Sequence, residues 1–219
     1  KLIFTNILIG ETHLNIGNKK RADLILNRAL ESATNIQDSF LMVLAFLAEI
    51  DLLNYFNSES LFNTFSNVAS KIQNKKNAAY SYYMFGKRAL NYKNETLTFM
   101  ALDSSISYYQ SNKDSILSVQ MFIKKAEAFE KYNNFQKTME LNKIIYQKSI
   151  DYNYYRGIIY SCHKLSDYFE QENQYYKANF YLKYLNKIES VQEEKELTER
   201  ILLAEKEKKI DLERVSTKN

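Results

Sequence analysis

The stretch "CHKLSDYFEQENQYYKANFYLKYL" (Cys162–Leu185) crowds aromatic side chains around a single alanine, with charges threaded between them. It divides at Asn173-Gln174, a polar pair of the kind that closes a turn. Leu165, Ser166 and Phe169 precede that pair at helical spacing, and Ala178, Leu182 and Leu185 follow it. A small residue thus stands seven positions before the turn (Ser166) and another five after it (Ala178). Two antiparallel helices approach closely only where both carry small side chains, and bulkier residues one turn away fill the gap. The stretch therefore predicts a helical hairpin, with Phe169, Tyr175 and Leu182 at packing positions.

The same arrangement recurs along the chain. Turn pairs stand at Gly17-Asn18, Lys93-Asn94 and Asn133-Asn134, so that the four turns are separated by 76, 40 and 40 residues. Small residues occupy the position seven before each turn (Gly10, Gly86, Ala126, Ser166) and five after it (Ala22, Thr98, Thr138, Ala178). Ala29, Ser105, Ile145 and Leu185 repeat the spacing twelve after it. The 76-residue gap leaves room for one more unit. "SFLMVLAFLAEIDLLNYF" followed by "NSESLFNTFSNVASKI" fits that slot, with Leu61, Phe65, Val68 and Ile72 at helical spacing and Ala45 and Ala48 both available for the small position. A single hairpin cannot bury both of its faces, whereas stacked hairpins can.

Composition agrees. The 219 residues include four glycines, no proline and no tryptophan, too few turn formers for a sheet protein of this size. Net charge is +4, but the 31 residues from Glu189 onward hold 7 Lys+Arg against 9 Asp+Glu, leaving the body at about +6. That charge is scattered and not gathered into a stripe, which argues against a nucleic-acid partner through this region. The aromatics, which would need a basic track beside them to stack on bases, read as packing between helices. Cys162 is the single cysteine, so no internal disulfide can form. No stretch is apolar for long enough to span a membrane.

Leu165-Ser166…Phe169…Tyr175…Ala178…Leu182…Leu185 resembles the tetratricopeptide repeat family, as does Ile9-Gly10…His13…Gly17…Ala22…Leu26…Ala29. Phe85-Gly86…Ala89 and Lys125-Ala126…Phe129…Phe135…Thr138 follow more loosely. The resemblance covers residues 3 to 188 and implies a right-handed α-solenoid of about five hairpins, with units near 3–36, 38–76, 78–116, 117–156 and 157–188. The closing proline of the family is absent, and a period of 40 against the usual ~34 implies longer helices.

Chemistry is sparse. His13 falls at a first-helix packing position; His163 adjoins Cys162, and neighbours on a helix point about 100° apart. No Cys/His set has zinc spacing, no glycine-rich phosphate loop is present, and no catalytic residue, metal or cofactor is expected. What the resemblance implies instead is a concave groove lined by first helices, binding a protein or peptide. Its register points to Glu11, Lys87, Glu127 and Asp167, flanked by Ile7, Tyr83, Ile123 and His163, with Leu14, Leu90, Glu130 and Glu170 one turn on. The C-terminal half of that groove should be acidic and the N-terminal half more apolar, favouring an extended partner with apolar side chains and some positive charge.

From Glu189 to the end, aromatics give way to charges paired at helical spacing (Glu196 with Arg200, Glu205 with Lys209). Leu197, Ile201, Ala204, Ile210 and Val215 form only a broken stripe. The expectation for residues 189–219 is a charged helix continuing the last hairpin, acting as a connector or as a weak coiled coil that would make a homodimer. The chain opens in helical, apolar "KLIFTNILIGETHLN" and ends in charged helix without a stop signal. A piece of a longer polypeptide is expected, with membrane contact made only through flanking segments. Arrays followed by a Lys/Glu-rich helix resemble the sensor regions of membrane-anchored regulators of Bacteroidetes-type bacteria, which carry a histidine-kinase or helix-turn-helix output. An extracytoplasmic sensing region is the expectation drawn from that likeness. A cytoplasmic peptide-sensing regulator of Gram-positive type and a purely structural scaffold are the alternatives.

Overall fold

The computed structural model describes residues 1–53 and 59–216. They form ten α-helices: α1 (Leu2–Asn15), α2 (Lys19–Asn35), α3 (Ser39–Leu53), α4 (Glu59–Ala69), α5 (Lys75–Asn91), α6 (Glu95–Ser111), α7 (Ser115–Lys131), α8 (Phe135–Asp151), α9 (Tyr155–Gln171) and α10 (Tyr175–Ser216). No strand occurs among the described residues. Packing follows chain order: α1 on α2, α2 on α3, α3 on α4, α4 on α5, α5 on α6, α6 on α7 and α9 on α10. The protein is all-α and built as sequential helical hairpins.

Two compact units divide the chain, Lys1–Leu141 and Asn142–Asn219, the boundary falling within α8. In the first unit the odd-numbered helices also touch one another directly, α1 with α3 and α3 with α5.

Seven of the helix junctions share one design. At each, a single residue enters the left-handed region: Gly17 (φ 81°), Gln37 (54°), Lys93 (57°), Lys113 (58°), Asn133 (58°), Asn153 (51°) and Asn173 (57°). All four turns read from the sequence are among them. The backbone hydrogen bonds are those of a Schellman motif: at the α5–α6 junction the Lys93 N–H donates to the Leu90 carbonyl (3.1 Å) and the Asn94 N–H to the Ala89 carbonyl (2.9 Å). The next residue then starts the following helix. Asn18, Asp38, Asn94 and Asn134 each accept from a backbone N–H of the first turn through a side-chain oxygen, satisfying a donor that the helix cannot. One residue that ends a helix and one that begins the next suffice for a reversal. From Lys93 to Asn173 the left-handed positions recur every 20 residues, separating helices of 17 residues.

The small residues face inward at every position the repeat marked. Ala22, Thr98, Ala29, Ser105, Ala126 and Ile145 are fully buried, and Thr138, Ser166, Ala178 and Leu185 nearly so; Gly10 and Gly86 are buried as well. A Cβ on Gly10 would fall 2.5 Å from Leu26 Cδ2, and one on Gly86 3.3 Å from Ala101 Cβ and from the Thr98 carbonyl oxygen. The close approach of α1 to α2 and of α5 to α6 depends on their absence. Ser105 adds a bond across one such contact, its Oγ donating to the Ala79 carbonyl at 2.8 Å. In the slot where Ala45 and Ala48 compete, both are fully buried, in a cluster with Ile7, Leu26 and Ala29.

Aromatic residues close the gaps between α4 and α5. Phe62, Phe65, Tyr82 and Phe85 pack ring against ring, with centroids 4.5 Å apart for Phe65–Phe85 and 5.4 Å for the edge-on Phe62–Phe85 pair. The Tyr82 hydroxyl hydrogen-bonds Ser66 Oγ at 2.7 Å, as a buried phenol requires. Phe65 and Ile72 are buried there, with Leu61 and Val68 packed against them. In the second unit Ile158, Cys162 and Leu185 form the core, with Tyr146, Tyr181 and Tyr184 around it.

Two expected packing positions are largely open to solvent: Tyr175 is 63% exposed and Leu182 40%. Phe169 is buried as expected and stacks on Tyr181 at 5.8 Å. α10 runs unbroken for 42 residues, so the charged tail continues the last hairpin. The side chains of Glu196, Leu197, Ile201, Ala204, Glu205, Lys209, Ile210 and Val215, which carry the ion pairs and the broken stripe, lie outside the described residues.

Candidate functional site

Of the twelve residues marked for the groove, four meet in one place. Tyr83, Lys87 and Leu90 on α5 and Glu127 on α7 line a cavity of about 280 Å³ in the first unit, together with Leu102 of α6. Positions 83 and 87 are one helical turn apart, so they project from one face. Gly86 between them keeps α5 tight on α6. Two lysines complete the rim: Lys124 and Lys131, three before and four after Glu127 on the same face of α7. Lys124 Nζ lies 3.2 and 2.9 Å from the two carboxylate oxygens of Glu127.

That composition departs from the acidic groove expected around Glu127. Three lysines surround one glutamate, and the pocket is cationic. The reading from sequence followed only the residue just past the small position, whereas the adjoining turns of the same helix supply the balance. The spacing of 124, 127 and 131 was legible and would have shown it.

A second charged group spans three helices. Arg88 of α5 is buried; its Nε donates to Asp51 Oδ2 of α3 at 2.7 Å and its Nη2 to Glu11 Oε1 of α1 at 3.2 Å. Glu11, marked for the groove, is thus half-buried in an ion pair. Burial pushes both carboxyls above the ordinary range, Arg88 opposes that, and for Glu11 the nearby Asp51 adds to the rise. Arg88 and Asp51 carry no signal in sequence, because their partners stand 37 and 77 residues away. Ile7, expected to flank the groove, is 2% exposed and belongs to the core.

Glu130 is half-buried on α7 in the first unit. His163, Asp167 and Glu170 lie exposed on α9 in the second, His163 Nε2 standing 3.9 Å from Glu189 Oε1 of α10. Of the four acids expected to line the groove, Glu127 and Glu130 belong to the first unit and Asp167 and Glu170 to the second. His13 is half-buried, its Nδ1 enclosed without a hydrogen-bond partner. Cys162 is fully buried and its thiol is pushed up to about 12 by burial. Among the described residues, no three His, Cys, Asp or Glu side chains gather closely enough to hold a metal ion, and no helix is long and apolar enough to cross a membrane. No model of a known protein family matches this chain, and no curated protein sequence matches it either.

Proposed function

We propose that the chain is a tetratricopeptide-like array of right-handed solenoid type, whose first helices dock a protein or peptide segment, and that it serves as the sensing or interaction region of a bacterial regulator. The observation that carries this reading is the direct contact of α1 with α3 and of α3 with α5. On this reading first helices laid side by side make a continuous face, and residues of α5 and α7 line one cavity beside it. Helix–turn steps of 20 residues, against ~17 in the family's usual unit, lengthen that face without altering its order. A role without chemistry fits the burial of the Cys162 thiol, which holds its proton well above the ordinary range.

Random peptide display on the whole chain tests the proposal. Lys87 is exposed, so Lys87→Trp would fill the cavity without disturbing the core. Peptides selected on the wild type should bind that variant at least tenfold more weakly while its thermal unfolding is unchanged. Equal affinity for the two proteins, or no selected peptide at all, would remove the reading.

A further inference from the structure

We infer that the α5–α7 pocket accepts a side-chain carboxylate of an extended acidic segment, and that Glu127 holds the place of that carboxylate in the free protein. This rests on the docking role proposed above and deepens it. Among the described residues neither Lys87 nor Lys131 has an acidic partner, although both border the same cavity as Lys124. Like charges held close together repel, so three ammonium groups around one cavity do not stabilise the fold; they raise the local positive potential and attract an anion. One carboxylate already answers that potential. Glu127 spans Lys124 with both oxygens, and the two side chains are 43% and 38% exposed. A pair so open to water contributes little, which makes it exchangeable for a carboxylate brought by a partner.

The walls set the rest of the ligand's chemistry. Tyr83, Leu90 and Leu102 offer carbon surface beside the ammonium groups, so an aliphatic or aromatic neighbour of the acidic side chain would be buried with it. An extended peptide supplies such neighbours at alternate positions.

The probes are the peptides recovered by display, resynthesised with amidated C-termini, together with copies in which glutamine replaces glutamate and asparagine replaces aspartate. Affinities are measured by titration calorimetry at low and high salt. The recovered sequences should be rich in acids, and the neutral copies should bind at least tenfold more weakly. Lys87→Gln and Lys131→Gln should each weaken the acidic peptides about three- to tenfold, and Glu127→Gln should strengthen them by a similar factor. Added salt should lower the affinity. Recovery of neutral or basic sequences overturns the inference but leaves docking intact when Lys87→Trp still blocks them. Loss of binding on amidation, displacement by a single-stranded oligonucleotide, or no gain from Glu127→Gln would each overturn it as well.

Discussion

Single side chains carry the strain in this molecule. Glu49 of α3 has one carboxylate oxygen, Oε1, enclosed without a hydrogen-bond partner. Burial, and then the charge of Asp23 on α2, raise its pKa above the ordinary value. In the unfolded chain Glu49 titrates normally, so between the two pKa values the native state binds more protons than the unfolded one. Stability therefore falls as pH rises through that window and grows as pH is lowered into it. Glu49→Gln should unfold at a higher temperature than the wild type at pH 7, and the difference should shrink toward pH 5. Thermal melts across that range check it; a difference independent of pH would show that the carboxylate is not the cause. Legibility from sequence was good for residues whose role is to be small. Gly10, Gly86, Ala126 and Ser166 needed only their spacing. It was poor for Arg88, Asp51 and Glu49, since a buried charge is identified by what lies across the interface, and that is decided by packing.

Elements are bounded by their junctions, and here the junctions are uniform. Asn tolerates the left-handed region, but Lys93, Lys113 and Gln37 enter it at a cost of roughly 1–2 kcal/mol each. Lys113 is exposed and makes no ion pair among the described residues. Lys113→Gly should relieve most of that cost, less the extra chain entropy glycine loses on folding. A net gain of about 0.5–1 kcal/mol is expected, seen as a rise of roughly 1–4 °C in the unfolding temperature. The turns within hairpins were readable from polar pairs such as Asn133-Asn134. Those between hairpins, at Gln37, Lys113 and Asn153, use the same device in less distinctive letters, and only the coordinates reveal the common stride. The α4–α5 connection departs from it: α4 has 11 residues, and buried Ile72 stands within the link. The exposure of Tyr175 and Leu182 has the same origin as these successes. A periodic rule marks the same position in every unit, whereas burial depends on what packs over each copy.

At the scale of the whole molecule, the tail of α10 stands apart energetically. Beyond Ile188 its described side chains are nearly all exposed, Val191, Leu202 and Leu203 among them. Burial of apolar surface is what stabilises a helix of this kind, and this segment has almost none. Ending the chain after Ser190 should therefore shift thermal unfolding by no more than about 2 °C, because almost no apolar burial is lost. A larger loss would mean that the tail supports the fold, and differential scanning calorimetry would detect it.

The evenly placed reversals have one more consequence. Lys93 is already left-handed and Asn134 already heads a helix. Excising Asn94 through Asn133 would splice those two together into a junction indistinguishable from the ones removed, and duplicating the same stretch would do likewise. Such a chain can grow or shrink by whole modules with no new backbone geometry to invent, so its reach can be adjusted by copying alone.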